Sequence, residues 1–170
     1  MRLSLILRTC VMALLMVAPS ARGQILRPIA EGVLAVPLNQ WRGIKYEPGL
    51  GFDVGIRLTP NDQLALRAEF VFVAHPIEAN TYYTKLGIAA LEYSLSGDAR
   101  PFILLGAGVG HVTLDCGMSI YPCTVSRTES RGAAVSFGLG ARPRTFPLLF
   151  QTRYYLLSDG IQSLQLMVGY

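Results

Sequence analysis

Few residues of this chain are of the kinds that do chemistry. It holds two histidines, His75 and His111. A serine nucleophile would need one of them within hydrogen-bond reach, with a third group orienting the base. Ser119, Ser126 and Ser136 are the candidate serines, and only elimination selects them. Asp53 and Glu69 could be catalytic carboxylates, but an ion-pairing role inside the fold is the better reading of both. Cys116 and Cys123, six residues apart, suit a disulfide that staples a loop in an exported chain, with two free thiols as the alternative. Neither histidine has ligand spacing to that pair, so a metal site is not expected. The Gly-x-Gly runs at 106–110 and 138–140 lie inside alternating segments and not before a helix, so they are packing glycines and not a nucleotide loop. The chain is therefore expected to be non-enzymatic, with no catalytic residues and no cofactor.

Composition indicates the elements that carry these residues. The 170 residues suit one domain. They are 51% hydrophobic and 15% charged, include 17 glycines, and have a mean hydropathy of +0.38. A soluble domain carries about 25% charged residues, so an ordinary hydrated surface is hard to build. The apolar content excludes a disordered chain. No uncharged run reaches the roughly 18 residues of a spanning helix; the longest, 101–114, has 14. A membrane β-barrel fits, and an apolar soluble β protein is the rival.

Residues 1–23 have the pattern of a secretory signal peptide. Arg2 and Arg8 precede the apolar core Thr9 to Ala18, Pro19 ends it, and Ala21-Arg22-Gly23 matches a cleavage site before Gln24, with a cut after Ser20 as the competitor. The mature domain is then 24–170. Losing Arg2, Arg8 and Arg22 with no acidic residue lowers the net charge from +4 to +1, which removes any pointer to nucleic acid.

Beyond the leader, apolar residues recur with a period of two. Eight strands are predicted: 28–37, 48–58, 63–74, 81–95, 102–113, 132–142, 147–157 and 163–170. In the second, Leu50, Phe52, Val54, Ile56 and Leu58 share one face, opposite Gly51, Asp53, Gly55 and Arg57. The fourth slips in its pattern near Ala90, as a bulge would produce. Most strands have 10 to 13 residues, near the roughly 9–11 that cross a bilayer when tilted. The gaps at 59–62, 96–100 and 143–146 are tight and rich in turn residues. On the opposite side, 39–47 and 115–130 are longer, 75–80 is intermediate and 158–160 is short. This asymmetry matches outer-membrane barrels.

The faces decide between lipid and water. The polar face is mostly glycine, alanine and serine with a few charges, and the chain has only two lysines, Lys45 and Lys85. Water-facing surfaces are richer in charge, whereas the interior of an eight-stranded barrel is just wide enough to be filled by side chains. Asp53, Arg57, Arg67, Glu69, Lys85, Glu92, Arg142 and Arg153 are thus expected inside as a mutually paired polar network. Aromatic girdles are expected from Trp41, Tyr46, Tyr82, Tyr83 and Tyr155 on the loop side, and from Tyr93, Phe102, Phe146 and Tyr170 on the turn side.

The segment 165–170 (QLMVGY) resembles the terminal strand that bacterial outer-membrane proteins present to the barrel-assembly machinery, with Leu166, Val168 and Tyr170 as the signal residues. Segments 101–110 (PFILLGAGVG) and 137–142 (FGLGAR) resemble strands of the OmpA/OmpX-like outer-membrane β-barrel domain family. The resemblance covers about Pro28 to Tyr170. It implies an all-β, eight-stranded antiparallel up-and-down transmembrane barrel in the bacterial outer membrane. Its partners would be outer-membrane lipid, the assembly machinery during biogenesis, and an extracellular ligand of unspecified identity. A structural or surface-interaction role is expected. A small pore, a lipid-modifying barrel enzyme and a soluble lipocalin-like barrel are the alternatives.

Overall fold

The structure, a computed structural model, describes residues 25–39, 47–77, 80–116, 129–143, 145 and 148–170. The expected leader 1–23, together with Trp41, Tyr46, Ser119, Cys123, Ser126 and Phe146, lies outside them. Eight strands follow in order: β1 (Ile25–Pro37), β2 (Gly49–Thr59), β3 (Leu64–Ile77), β4 (Asn80–Ser94), β5 (Pro101–Cys116), β6 (Glu129–Ala141), β7 (Leu149–Leu157) and β8 (Gln162–Gly169). Each pairs antiparallel with its sequence neighbours, and β8 pairs with β1 from Glu31↔Gly169 to Pro37↔Ser163, closing the barrel. Closure leaves no free edge, so every strand can satisfy its backbone groups without water.

The turns at one end are short and chemically specified. Between β2 and β3, the Asn61 side-chain oxygen accepts hydrogen bonds from the Gln63 and Leu64 backbone N–H groups at 3.0 and 2.8 Å, an Asx-type turn. Gly97, at φ 131°, serves the β4–β5 turn, and at the opposite end Gly160, at φ 80°, serves the β7–β8 turn. Both conformations are open to glycine and costly for other residues.

Alternation divides the sheet into two faces of opposite chemistry. Asp53 is 0% exposed and its chain neighbour Val54 is 42% exposed. Leu50, Phe52, Ile56, Phe70, Leu105, Val109, Val135, Leu139, Leu166 and Val168 all face outward. The interior has two zones. Toward the short turns it is polar and charged. Toward the opposite end it is an apolar core of Val33, Val71, Val73, Leu86, Val112, Leu157 and Ile161. That second zone was not anticipated, because the inward positions were expected to be filled mainly by small residues and charges.

Inward glycines do make room for large side chains. A Cβ on Gly140 would collide with the ring of Phe102, and one on Gly110 would lie 2.7 Å from a Leu157 methyl. At Gly138 it would lie 3.2 Å from Cγ of Arg153.

Four expectations are corrected. The fourth strand has no bulge: its pairing is continuous through Arg67↔Ala90 on one side and Ala90↔Gly106 on the other. With an unbroken period of two, Lys85 and Glu92 must face opposite ways. Glu92 points in and is fully buried, so Lys85 points out and is exposed; it does not belong to the interior network. The girdle assignment also changes, since Tyr82, Phe102 and Tyr155 are buried inward while Tyr93 and Tyr170 face out. Finally, β3 runs on to Ile77 and β4 starts at Asn80, so the expected intermediate gap at 75–80 is almost wholly strand.

Candidate functional site

Inward positions of β1, β2, β3, β7 and β8 bring Glu31, Asp53, Arg67, Glu69, Gln151, Arg153 and Gln165 to the middle of the lumen, all of them buried. Arg153 donates from Nη1 and Nη2 to the two carboxylate oxygens of Glu69 at 2.5 and 3.1 Å, and from Nη1 to the Tyr155 hydroxyl at 2.8 Å. Arg67 donates to Glu31 at 2.7 Å and to the Gln151 side-chain oxygen at 3.2 Å, and its Nε pairs with Glu69. The amide of Gln151 donates to Glu31. Asp53 is held only by Arg153, 4.0 Å away, with no hydrogen bond to its oxygens among the described residues.

These charges can be buried because partners on facing strands meet across a lumen one or two side chains wide. A fork-to-fork pair such as Arg153–Glu69 is shorter and stronger than a neutral hydrogen bond. A lone buried charge would be far costlier than the pair.

A second layer lies nearer the short turns and centres on Glu92. Its carboxylate accepts from Arg57 at 2.7 Å and from Arg142 at 3.0 Å, and Arg67 approaches to 3.5 Å. Arg57 also donates to Thr59 at 2.7 Å, and Arg142 lies over the Phe102 ring at 5.1 Å. The structure therefore gathers Arg57, Glu92 and Arg142 in one layer, places Asp53, Arg67, Glu69 and Arg153 in the next, and leaves Lys85 outside.

Sequence reasoning missed Glu31, Gln151 and Gln165. Glu31 sits among apolar neighbours in the weakly alternating first strand, and only closure of β1 onto β8 brings it across from Gln151. The glutamines were legible as inward by parity, but nothing marked them as members of a network.

Among the described residues, neither histidine is brought to the candidate serine Ser136, and Asp53 and Glu69 meet at Arg153 as ion-pair partners. His111 lies on the outward face of β5, its Nε2 3.9 Å from a Glu129 oxygen. Ser136 is buried on the inward face of β6, so those two lie on opposite sides of the sheet. His75 is buried near the long-loop end with Nδ1 3.1 Å from the Glu47 carbonyl oxygen. No cluster of three histidine, cysteine or carboxylate groups able to hold a metal occurs among the described residues.

The outward face carries its own polar row near the long-loop end. Lys85, His111 and Arg131 occupy directly facing positions on β4, β5 and β6. Arg131 and His111 both approach Glu129, at 3.8 and 3.9 Å.

No protein-family model matches the sequence, and no curated protein matches it. Solved structures do. Neisserial surface protein A (NspA) superposes with a TM-score of 0.66 at 14% identity, over 87% of this chain and 97% of that one. The N-terminal β-barrel domain of Pseudomonas aeruginosa OprF gives 0.58 at 15% identity, over 87% and 98%. Ail, the attachment invasion locus protein of Yersinia pestis, solved in complex with the heparin analogue sucrose octasulfate, gives 0.54 at 15% identity, over 86% and 94%. At these identities the likeness is one of fold.

Proposed function

Because the chain has the OmpA/OmpX-like fold, the closed eight-stranded barrel of small outer-membrane proteins, we propose that it is a non-enzymatic outer-membrane barrel whose long loops contact ligands at the cell surface. Residues 1–23 direct export and are removed, and 24–170 form the barrel. Leu166, Val168 and Tyr170 serve recognition by the assembly machinery. Cys116, the last residue of β5, and Cys123 form a disulfide that staples the β5–β6 connection.

The observation that carries the reading is the reversal of polarity along each strand, with buried Asp53 beside exposed Val54 as its clearest instance. A soluble barrel hides the apolar face and wets the polar one; this chain does the opposite. The mid-lumen ion pairs fill the space a pore would need, which favours a structural and contact role over conduction. Ail, a protein of the same fold, was solved in complex with the heparin analogue sucrose octasulfate, which supports ligand contact as a use of such barrels.

Membrane fractionation with heat-modifiable gel mobility tests the proposal. The protein should partition with the outer membrane and shift in mobility on boiling. A freely soluble periplasmic protein would overturn it, and steady conductance in planar bilayers would replace the contact role with that of a pore.

A further inference from the structure

At the short-turn end the lumen opens into a cavity of about 550 Å³. Half of its ten lining residues are arginines, namely Arg27, Arg57, Arg67, Arg100 and Arg142; none has an acidic side chain, and the side chains of the other five are apolar or aromatic. Three of these arginines form one row. Arg27 faces Arg57 across β1–β2, and Arg57 faces Arg67 across β2–β3. Like charges at directly facing positions destabilise a sheet, so such a row calls for an anion.

The chain supplies only part of it. Glu92, behind the cavity wall and shielded from solvent, is shared by Arg57 and Arg142. Arg67 has Glu31 at 2.7 Å, pairs through Nε with Glu69, which Arg153 also holds, and approaches Glu92 to 3.5 Å. Arg27 and Arg100 meet no carboxylate among the described residues. Counting Arg153, six guanidiniums share the four carboxylates Glu31, Asp53, Glu69 and Glu92, leaving two positive charges, those of Arg27 and Arg100, beside a half-enclosed space. Arg100 adds an independent sign. Among the described residues it is the only non-glycine with positive φ, at 42°, and strained backbone of this kind concentrates at ligand clamps.

We propose that this mouth is a phosphate-binding site, taking a phosphate mono- or diester whose anionic group sits among Arg27, Arg57, Arg100 and Arg142. The planar guanidinium fork matches phosphate oxygens two at a time, and a tetrahedral anion can engage several forks at once. The apolar half of the wall receives the organic part of the ester. The site lies at the opposite end of the barrel from the long loops and goes beyond the surface role proposed above. Its position on the periplasmic side follows that orientation, whereas binding itself does not depend on it.

The test is a titration of the folded barrel in neutral maltoside detergent at low ionic strength, by calorimetry or amide NMR. Inorganic phosphate is one arm and dihexanoyl phosphatidylglycerol is the other. Saturable binding that weakens with salt is expected. Arg27→Gln combined with Arg100→Gln should weaken it by at least about tenfold. These two arginines hold no ion pair among the described residues, so heat-modifiable mobility should be unchanged in the variant. Binding of phosphate alone identifies a soluble ester as the source, and binding of the lipid identifies a headgroup; each supports the site. Absence of saturable binding of both by the unmodified barrel overturns it, as does undiminished affinity in the folded double variant.

Discussion

Arg153 on β7 reaches across the lumen to Glu69 on β3, 84 residues earlier, and meets both of its carboxylate oxygens with both terminal nitrogens. Neither side chain is on the protein surface: Arg153 is 0% and Glu69 6% exposed. This pair ties opposite walls of the barrel together and occupies its centre, so it governs both stability and the closure of the lumen.

Removing one member should therefore be costly. Arg153→Met leaves Glu69 and Asp53 short of a cation in a buried site and is expected to destabilise the barrel by about 3–5 kcal/mol. Glu69→Gln should cost less, because Asp53 still faces Arg153. The double variant should fall short of the sum by about 0.5–3 kcal/mol, the range for groups in direct contact. Urea titrations followed by the folded gel band measure all three. Additivity within a few tenths would mean the two side chains do not act as a pair.

The lipid-facing assignment makes an opposite prediction for the residue next to Asp53. Val54 lies midway along β2 and points outward. Val54→Arg should cost about 2–4 kcal/mol in a bilayer if it sits near the midplane, and Val54→Leu should be close to neutral. Refolding into lipid vesicles across a urea series gives both values. A neutral Val54→Arg would place the hydrated face outside.

Glycine on the inward face is tested at position 140. Gly140→Ala puts a Cβ against the Phe102 ring and 2.7 Å from the Phe150 carbonyl oxygen. Overpacking of this kind costs about 1–3 kcal/mol. Adding Phe102→Leu should recover only part of the loss, since the Phe150 carbonyl is backbone and cannot withdraw. Full recovery would show that the ring alone sets the requirement for glycine.

The corrected direction of Lys85 can be read by thiol labelling. In a Cys116→Ser/Cys123→Ser background, Lys85→Cys should react readily with a maleimide in detergent, and Glu92→Cys should react only after unfolding. Equal protection of the two cysteines would restore a bulge in β4 and return Lys85 to the interior.

Period-two alternation, reversed polarity, strand length and turn chemistry were all readable in the sequence, because each depends on residues within a strand or on its immediate neighbours. They sufficed for the number of strands, the outward set around Val54 and Leu166, and the inward parity of Asp53, Arg67, Glu69 and Arg153. Where parity was ambiguous, the reading failed: Lys85 and Glu92 are seven residues apart, and only the unbroken β3–β4 and β4–β5 registers put them on opposite faces.

The tertiary structure alone decided who meets whom. Closure of β8 onto β1 brings Glu31 to Gln151 and Arg67, and the closed lumen takes up Tyr82, Phe102 and Tyr155, which stand at inward positions of their strands, as filling and not as an interface belt. It also stacks Arg27, Arg57 and Arg67 in one row beside Arg100 and Arg142 from separate segments. A strand's faces are set by its own alternation. A charge's partner is set by geometry across the barrel, where residues more than 80 positions apart lie within hydrogen-bond distance.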